Sequence, residues 1–74
     1  MAYRIGLDVK WYNSKVGPSV VRTEIEEAHD NDCDTLVLVC KKGWTSGAEN
    51  VADNADIDVI LTFPPDDMRE LKDY

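Results

Sequence analysis

The feature that most constrains the fold is an uninterrupted apolar run, TLVLVC, from Thr35 to Cys40. The run is rich in β-branched and aliphatic residues and shows no alternation with polar ones. Such a run is typical of a central strand in a parallel sheet that is covered on both faces. We therefore predict an α/β domain built around this strand.

Two further segments are predicted to be strands. From Tyr3 to Tyr12 apolar and polar residues alternate strictly, which is the signature of a strand with one buried and one polar face. We expect the apolar row of this first strand to be the buried one. The third strand is predicted from Ile57 to Phe63, where Pro64-Pro65 closes it. The apolar row consists of Tyr3, Ile5, Leu7, Val9 and Trp11.

Helical patterns separate these strands. Val21, Ile25 and Ala28 predict a helix from about Pro18 to His29, with the glutamates of this segment, Glu24 among them, largely outward. Ser46 and Glu49 have the spacing of a capping box and predict the start of a second, short helix. A last helical turn or two is predicted after Asp66-Asp67. The expected fold is a single domain over residues 1–74, with three layers in the order β-α-β-α-β-α.

Composition limits the classes of partner. The 74 residues carry a net charge of −7, which opposes simple attraction to nucleic acid or anionic lipid and is typical of halophilic proteins. Residues 1–22 are the exception, with a net charge of +3, so a phosphate backbone would meet this part. No apolar run has the roughly 18 residues of a membrane span, and the sequence predicts a cytoplasmic protein whose two cysteines are free thiols.

Asp8 and Lys10 are the first candidates for chemistry. They lie on the same face of the first strand, roughly 7 Å apart at their Cα atoms. A carboxylate can hold a divalent metal, and a neighbouring ammonium can neutralise a phosphate, so Asp-x-Lys suits metal-dependent phosphodiester hydrolysis. The alternative is a plain ion pair on a solvated strand.

Two other groups of residues have a functional and a structural interpretation. The segment from Lys41 to Ser46 joins a strand to a helix, so it is either a phosphate contact or a capped, solubilising loop. Within it, Trp44 would either stack on a base or pack onto the following helix. His29, Cys33 and Cys40 provide only three zinc ligands, and the last of them belongs to a buried strand, which disfavours zinc.

The segment from Leu7 to Arg22 resembles the part of Mrr-type restriction endonucleases in which an acid-x-Lys strand leads through a Lys-Val-Gly turn into a helix with Val-Arg. Gly43-Trp44-Thr45, the alanines at 48 and 52, and the strand from Ile57 to Leu61 are similar to that family's Gly-aromatic-Thr loop, Ala-rich helix and final strand. The resemblance covers nearly the whole chain in the right order.

This resemblance implies a restriction-endonuclease-like sheet, truncated at its start, with DNA as substrate and magnesium as cofactor. Asp8 takes the acidic, metal-binding position and Lys10 the lysine position of the motif. The family's second metal-binding Asp lies on an upstream strand that is missing here, and Glu24 of the next helix is the candidate to replace it. The expected nucleic-acid contacts are Arg4, Lys15, Arg22, Lys41, Lys42 and Thr45.

Two alternatives belong to other classes of function. One is a non-catalytic interaction module that forms a homodimer through its exposed first strand, either by strand pairing or by side-by-side packing. The other is an acidic regulator that mimics nucleic acid, against which the basic N-terminal part argues. The sequence alone leaves all three interpretations open.

Overall fold

The computed structural model describes residues 3–65, which form a three-stranded parallel sheet and two helices. The predicted order of strands and helices is confirmed over this range, and the predicted last helix, from Asp66, lies outside the described residues. The elements are β1 (Ile5–Lys10), α1 (Pro18–Asp30), β2 (Thr35–Cys40), α2 (Ser46–Asp53) and β3 (Asp58–Thr62).

The strands lie side by side in the order β1-β2-β3, so β2 is central as predicted. Their register places Leu7 beside Val37 and Val37 beside Ile60. At the carboxyl edge of the sheet, Lys10 of β1 lies beside Cys40 of β2. Each parallel connection contains one helix, which is the usual β-α-β arrangement.

The hydrophobic core lies between one face of the sheet and the two helices. Leu38 and Cys40 of β2 are fully buried there, as are Val21 of α1 and Ala48 of α2. The alternate positions on β3, Val59 and Leu61, pack against the same cluster. Leu36, Leu38 and Cys40 lie at alternate positions of β2 and belong to one cluster with residues of both helices. Both helices therefore cover the same face, and the described residues form two layers.

The apolar row of β1 lies on the other face, so the prediction that this row is buried is wrong. Ile5 is 62% exposed, Leu7 68% and Val9 42%, and Ile60 of β3 is 50% exposed. On the central strand the same face is only partly open, because Val37 is partly exposed whereas Thr35 and Val39 are buried. The physical reason is that the apolar residues of α1 pack on β2, which leaves the inner side of β1 to its polar row.

The loops that join the elements at the carboxyl edge are tied together by backbone hydrogen bonds. Val16 forms a bridge with Trp44, with Val16 N donating to Gly43 O at 2.9 Å and Thr45 N to Val16 O at 3.0 Å. Gly43 has a φ of +82°, a conformation that favours glycine. The N-cap of α2 is Thr45, whose hydroxyl accepts a hydrogen bond from Ala48 N. The predicted capping box of Ser46 and Glu49 is therefore wrong, because the cap lies one residue earlier.

Two further findings concern expectations from composition. Cys33 and Cys40 are both free, as predicted. Among the described residues, no helix has the length and apolar character needed to cross a membrane.

The position of the core predicts different costs for two leucine truncations. Leu38→Ala should lower the free energy of unfolding by about 3 kcal/mol, because it leaves a cavity under the helices. Leu7→Ala should cost less than about 1 kcal/mol in the monomer, because its side chain is already in water. Urea denaturation of dilute protein measures both. A larger loss for Leu7→Ala would contradict the described packing.

Candidate metal and phosphate site

Three charged side chains converge between β1 and α1. Lys10 Nζ lies 2.9 Å from Asp8 Oδ2 and 2.7 Å from Glu24 Oε1. Strand alternation places Asp8 and Lys10 on the helix-covered face of β1, and α1 brings Glu24 over them. The structure thus joins the three residues that the sequence singled out for catalysis.

Glu24 is a buried residue, which corrects the prediction that it points largely outward. Its side chain is only 8% exposed, compared with 16% for Lys10 and 39% for Asp8. The sequence does contain a signal for this burial. Glu24 follows Val21 by three residues and precedes Ala28 by four, and these spacings place all three on one helix face.

The cluster separates the pKa values of its two carboxyl groups. Burial raises the pKa of Glu24, and its hydrogen bond with Asp8 acts in the same direction. Hydrogen bonding with Glu24, and then with Lys10, lowers the pKa of Asp8. The pKa of Lys10 is raised, chiefly by its hydrogen bond with Glu24. Lys10 is therefore a permanent cation, and Glu24 is the first of the two acids to take up a proton as the pH falls.

Two clefts open on either side of the cluster. One, of about 230 Å³, extends from Asp8 and Glu24 along Gly6 and Ala28. The other, of about 220 Å³, is bounded by Lys10, Glu24 and the first two turns of α1. Each cleft therefore reaches Glu24 and one of its two partners, Asp8 in the first cleft and Lys10 in the second.

The carboxylates of the cluster are suitable ligands for magnesium. Asp8 and Glu24 supply two carboxylates, and no group of three or more potential metal-ligating side chains converges within residues 3–65. Magnesium is commonly held by one or two carboxylates, with waters and substrate phosphates completing its coordination. The residues therefore fit a two-carboxylate magnesium site, in which the ion would compete with Lys10 for the same oxygens.

The predicted nucleic-acid contacts fall into two groups, and the first lies at the carboxyl edge of the sheet near Lys10. Lys41 and Lys42 directly follow β2, and Lys15 precedes the residue that pairs with Trp44. Lys41 Nζ donates to Asn13 Oδ1 at 3.3 Å and lies 5.8 Å from the centre of the Trp11 ring. The Thr45 hydroxyl already accepts a hydrogen bond as the cap of α2.

The other two predicted contacts lie on separate surfaces. Arg4 precedes β1, at the opposite end of the sheet, where its Nη1 donates to Asn31 O at 3.1 Å. Arg22 lines a groove of about 570 Å³ between the outer sides of α1 and α2. The six predicted contacts therefore do not form one continuous surface.

The remaining candidates are structural. His29 Nε2 lies 2.7 Å from Asp56 Oδ1, and Cys40 is fully buried in the core. Cys33 lies beside Gly6 at the other end of the sheet, so the three residues weighed as zinc ligands do not come together. Trp44 packs against the core and against Phe63, with ring centres 5.1 Å apart, and Phe63 was not the predicted partner, which was the following helix.

Comparison of the chain with protein-family models, curated proteins and solved structures found no match.

The cluster predicts a pH-dependent cost for the loss of Lys10. Lys10→Met should destabilise the fold by about 2–3 kcal/mol near pH 7, because it leaves two neighbouring carboxylates without their cation. The loss should shrink as the pH falls into the acidic range, because Glu24, whose pKa is raised, is the first of the two acids to be protonated and the repulsion then ends. Urea denaturation at pH 7 and at an acidic pH measures this. Lys42→Met, which removes an exposed lysine, is the control and should cost little at either pH. A cost independent of pH would contradict the cluster.

Proposed function

We propose that the protein is an Mrr-like member of the restriction-endonuclease fold that acts on DNA by magnesium-dependent phosphodiester hydrolysis. The observation that supports this proposal is the convergence of Asp8, Lys10 and Glu24 within hydrogen-bonding distance. A strand acid, a strand lysine two residues later and a second acid together match the chemistry of the acid-x-Lys motif. Separated pKa values in a cleft are also typical of functional sites.

Each residue of the cluster has its own role in this proposal. Asp8 is the more exposed acid and has a lowered pKa, so it stays ionised and would hold the metal. Lys10 stays protonated, so it serves as an electrostatic partner for the scissile phosphate and not as a general base. Glu24 is the second carboxylate and replaces the Asp that the family takes from an upstream strand. The bound magnesium would polarise the phosphate and assist formation of a hydroxide from water.

DNA would approach at the carboxyl edge of the sheet. Lys15, Lys41 and Lys42 belong to the loops at that edge, where β1 ends at Lys10, and would contact the phosphates on either side of the site. The chain as a whole is acidic, with a net charge of −7, and would repel DNA at low ionic strength. High salt screens this repulsion, so the proposal fits a halophilic protein best.

A metal titration tests the site directly. Addition of Mg²⁺ or Mn²⁺ should cause saturable NMR changes at the amides of Asp8, Lys10 and Glu24, with paramagnetic broadening by Mn²⁺ centred on them. Asp8→Asn should abolish these changes, because it removes the more exposed carboxylate. Asp53→Asn, which removes an exposed acid at the end of α2, is the matched control and should leave them intact.

Hydrolysis is tested with supercoiled plasmid DNA in the same buffers. Magnesium-dependent nicking should be lost in both Asp8→Asn and Lys10→Met and retained in Asp53→Asn. Metal-induced changes of equal size at all acidic residues, unaffected by Asp8→Asn, would sink the proposal.

A second candidate is a non-catalytic interaction module that forms a homodimer through its first strand. The observation that favours it is the exposed apolar row of β1, an edge strand whose side chains at Ile5 and Leu7 are more than 60% exposed. A second copy would supply the third layer that the sequence predicts. A molar mass of 8.3 kDa that persists at high protein concentration would reject this candidate.

A further inference from the structure

The sheet face that the helices leave uncovered carries a continuous apolar surface. We define the open face by the exposed or partly exposed apolar residues of the three strands and of the segment just before β1. The register places Leu7, Val37 and Ile60 side by side across its middle. At one end, the Tyr3 hydroxyl forms a hydrogen bond with Thr35 Oγ1. The open face consists of Tyr3, Ile5, Leu7, Val9, Val37 and Ile60.

The open face is almost free of acids, although the chain contains 15 Asp and Glu residues. Asp8 is the only acid within β1 and points to the helices, and β2 contains none. Asp58 at the start of β3 is the one strand acid on this side. Since two copies with a charge of −7 repel each other, their charge-poor faces are where they can approach.

We infer that a second copy of this chain covers the open face, so that the two sheets pack face to face around a twofold axis. Twofold packing joins identical patches, and two sheets of the same twist pack face to face with their apolar side chains interdigitated. Pairing along the free edge of β1 would not remove the exposed apolar residues, because both sheets would keep an uncovered face in water. Face-to-face packing covers both at once.

The area is consistent with such a dimer. Ile5, Leu7, Val9, Ile60 and Tyr3 are between 42% and 68% exposed. They offer roughly 600 Å² per copy if a fully exposed large side chain contributes about 200 Å². A standard interface buries about 800 Å² per partner, so the rim of the sheet must supply the remainder. We therefore expect a dissociation constant on the order of 10 μM, tightened by salt.

This inference rests on the second candidate function and names the surface through which it works. The experiment is sedimentation equilibrium of the full chain from about 10 to 500 μM, in low and in molar salt. The wild type should approach twice its mass of 8.3 kDa, with tighter association in high salt. Leu7→Glu should weaken dimerisation at least 100-fold, because it places a charge in the middle of the open face. Asn50→Glu adds the same charge to an exposed position of α2 and should leave dimerisation unchanged.

Isotope-filtered NOE spectra of a mixed labelled sample identify the contact. Intermolecular NOEs between the methyl groups of Leu7 and Ile60 are expected for packed faces. If Leu7→Glu leaves the dimer intact and intermolecular NOEs appear only along the β1 backbone, the face-to-face inference is overturned. The second candidate function, a homodimeric interaction module, would then still hold. A monomer at all concentrations would overturn both. If that monomer co-sediments with phosphatidylcholine vesicles, the occupant of the open face is lipid.

Discussion

The contact of Lys10 with Asp8 and Glu24 determines how the first strand sits on the rest of the molecule. Backbone hydrogen bonds join β1 to β2. The residues of β1 that face α1 are Gly6, Asp8 and Lys10, which offer the helix no large apolar surface. The ion cluster supplies the side-chain contact in place of hydrophobic packing. Because the polar row of β1 faces the helices, its apolar row faces away from them.

A partly buried cluster of three charged groups contributes little net stability to a fold. Removing three charged groups from water costs free energy that their mutual attraction repays only in part, and apolar residues of similar volume often do better. Burial of Glu24 in the same cluster raises its pKa while that of Asp8 falls. Charged groups arranged in this way are common where a protein handles a metal ion or a phosphate. The two proposals are therefore linked. Because the polar row of β1 faces the helices, the candidate site forms on one face of the sheet and the open face on the other.

The sequence predicted the order of the elements because strand and helix periodicities are local properties. The bounds of β2 agree with the predicted run from Thr35 to Cys40, and the pairing of Asp8 with Lys10 followed from strand geometry. Alternation in β1 showed that its two rows differ, but it did not determine which row the helices cover. That choice depends on where Glu24 of α1 lies, a tertiary contact between residues far apart in the chain. Helix spacing relative to Val21 and Ala28 would have revealed the burial of Glu24.

The most direct test of this account is a carboxyl-carbon NMR titration of Asp8 and Glu24 across the acidic range. The account predicts that Glu24 titrates above its ordinary value of 4.5 and Asp8 below its ordinary value of 3.8. It also predicts that Lys10→Met raises the pKa of both, because the cation that favours their ionised forms is gone. Ordinary pKa values for both groups, unchanged in Lys10→Met, would show that the three side chains do not meet and would contradict the account.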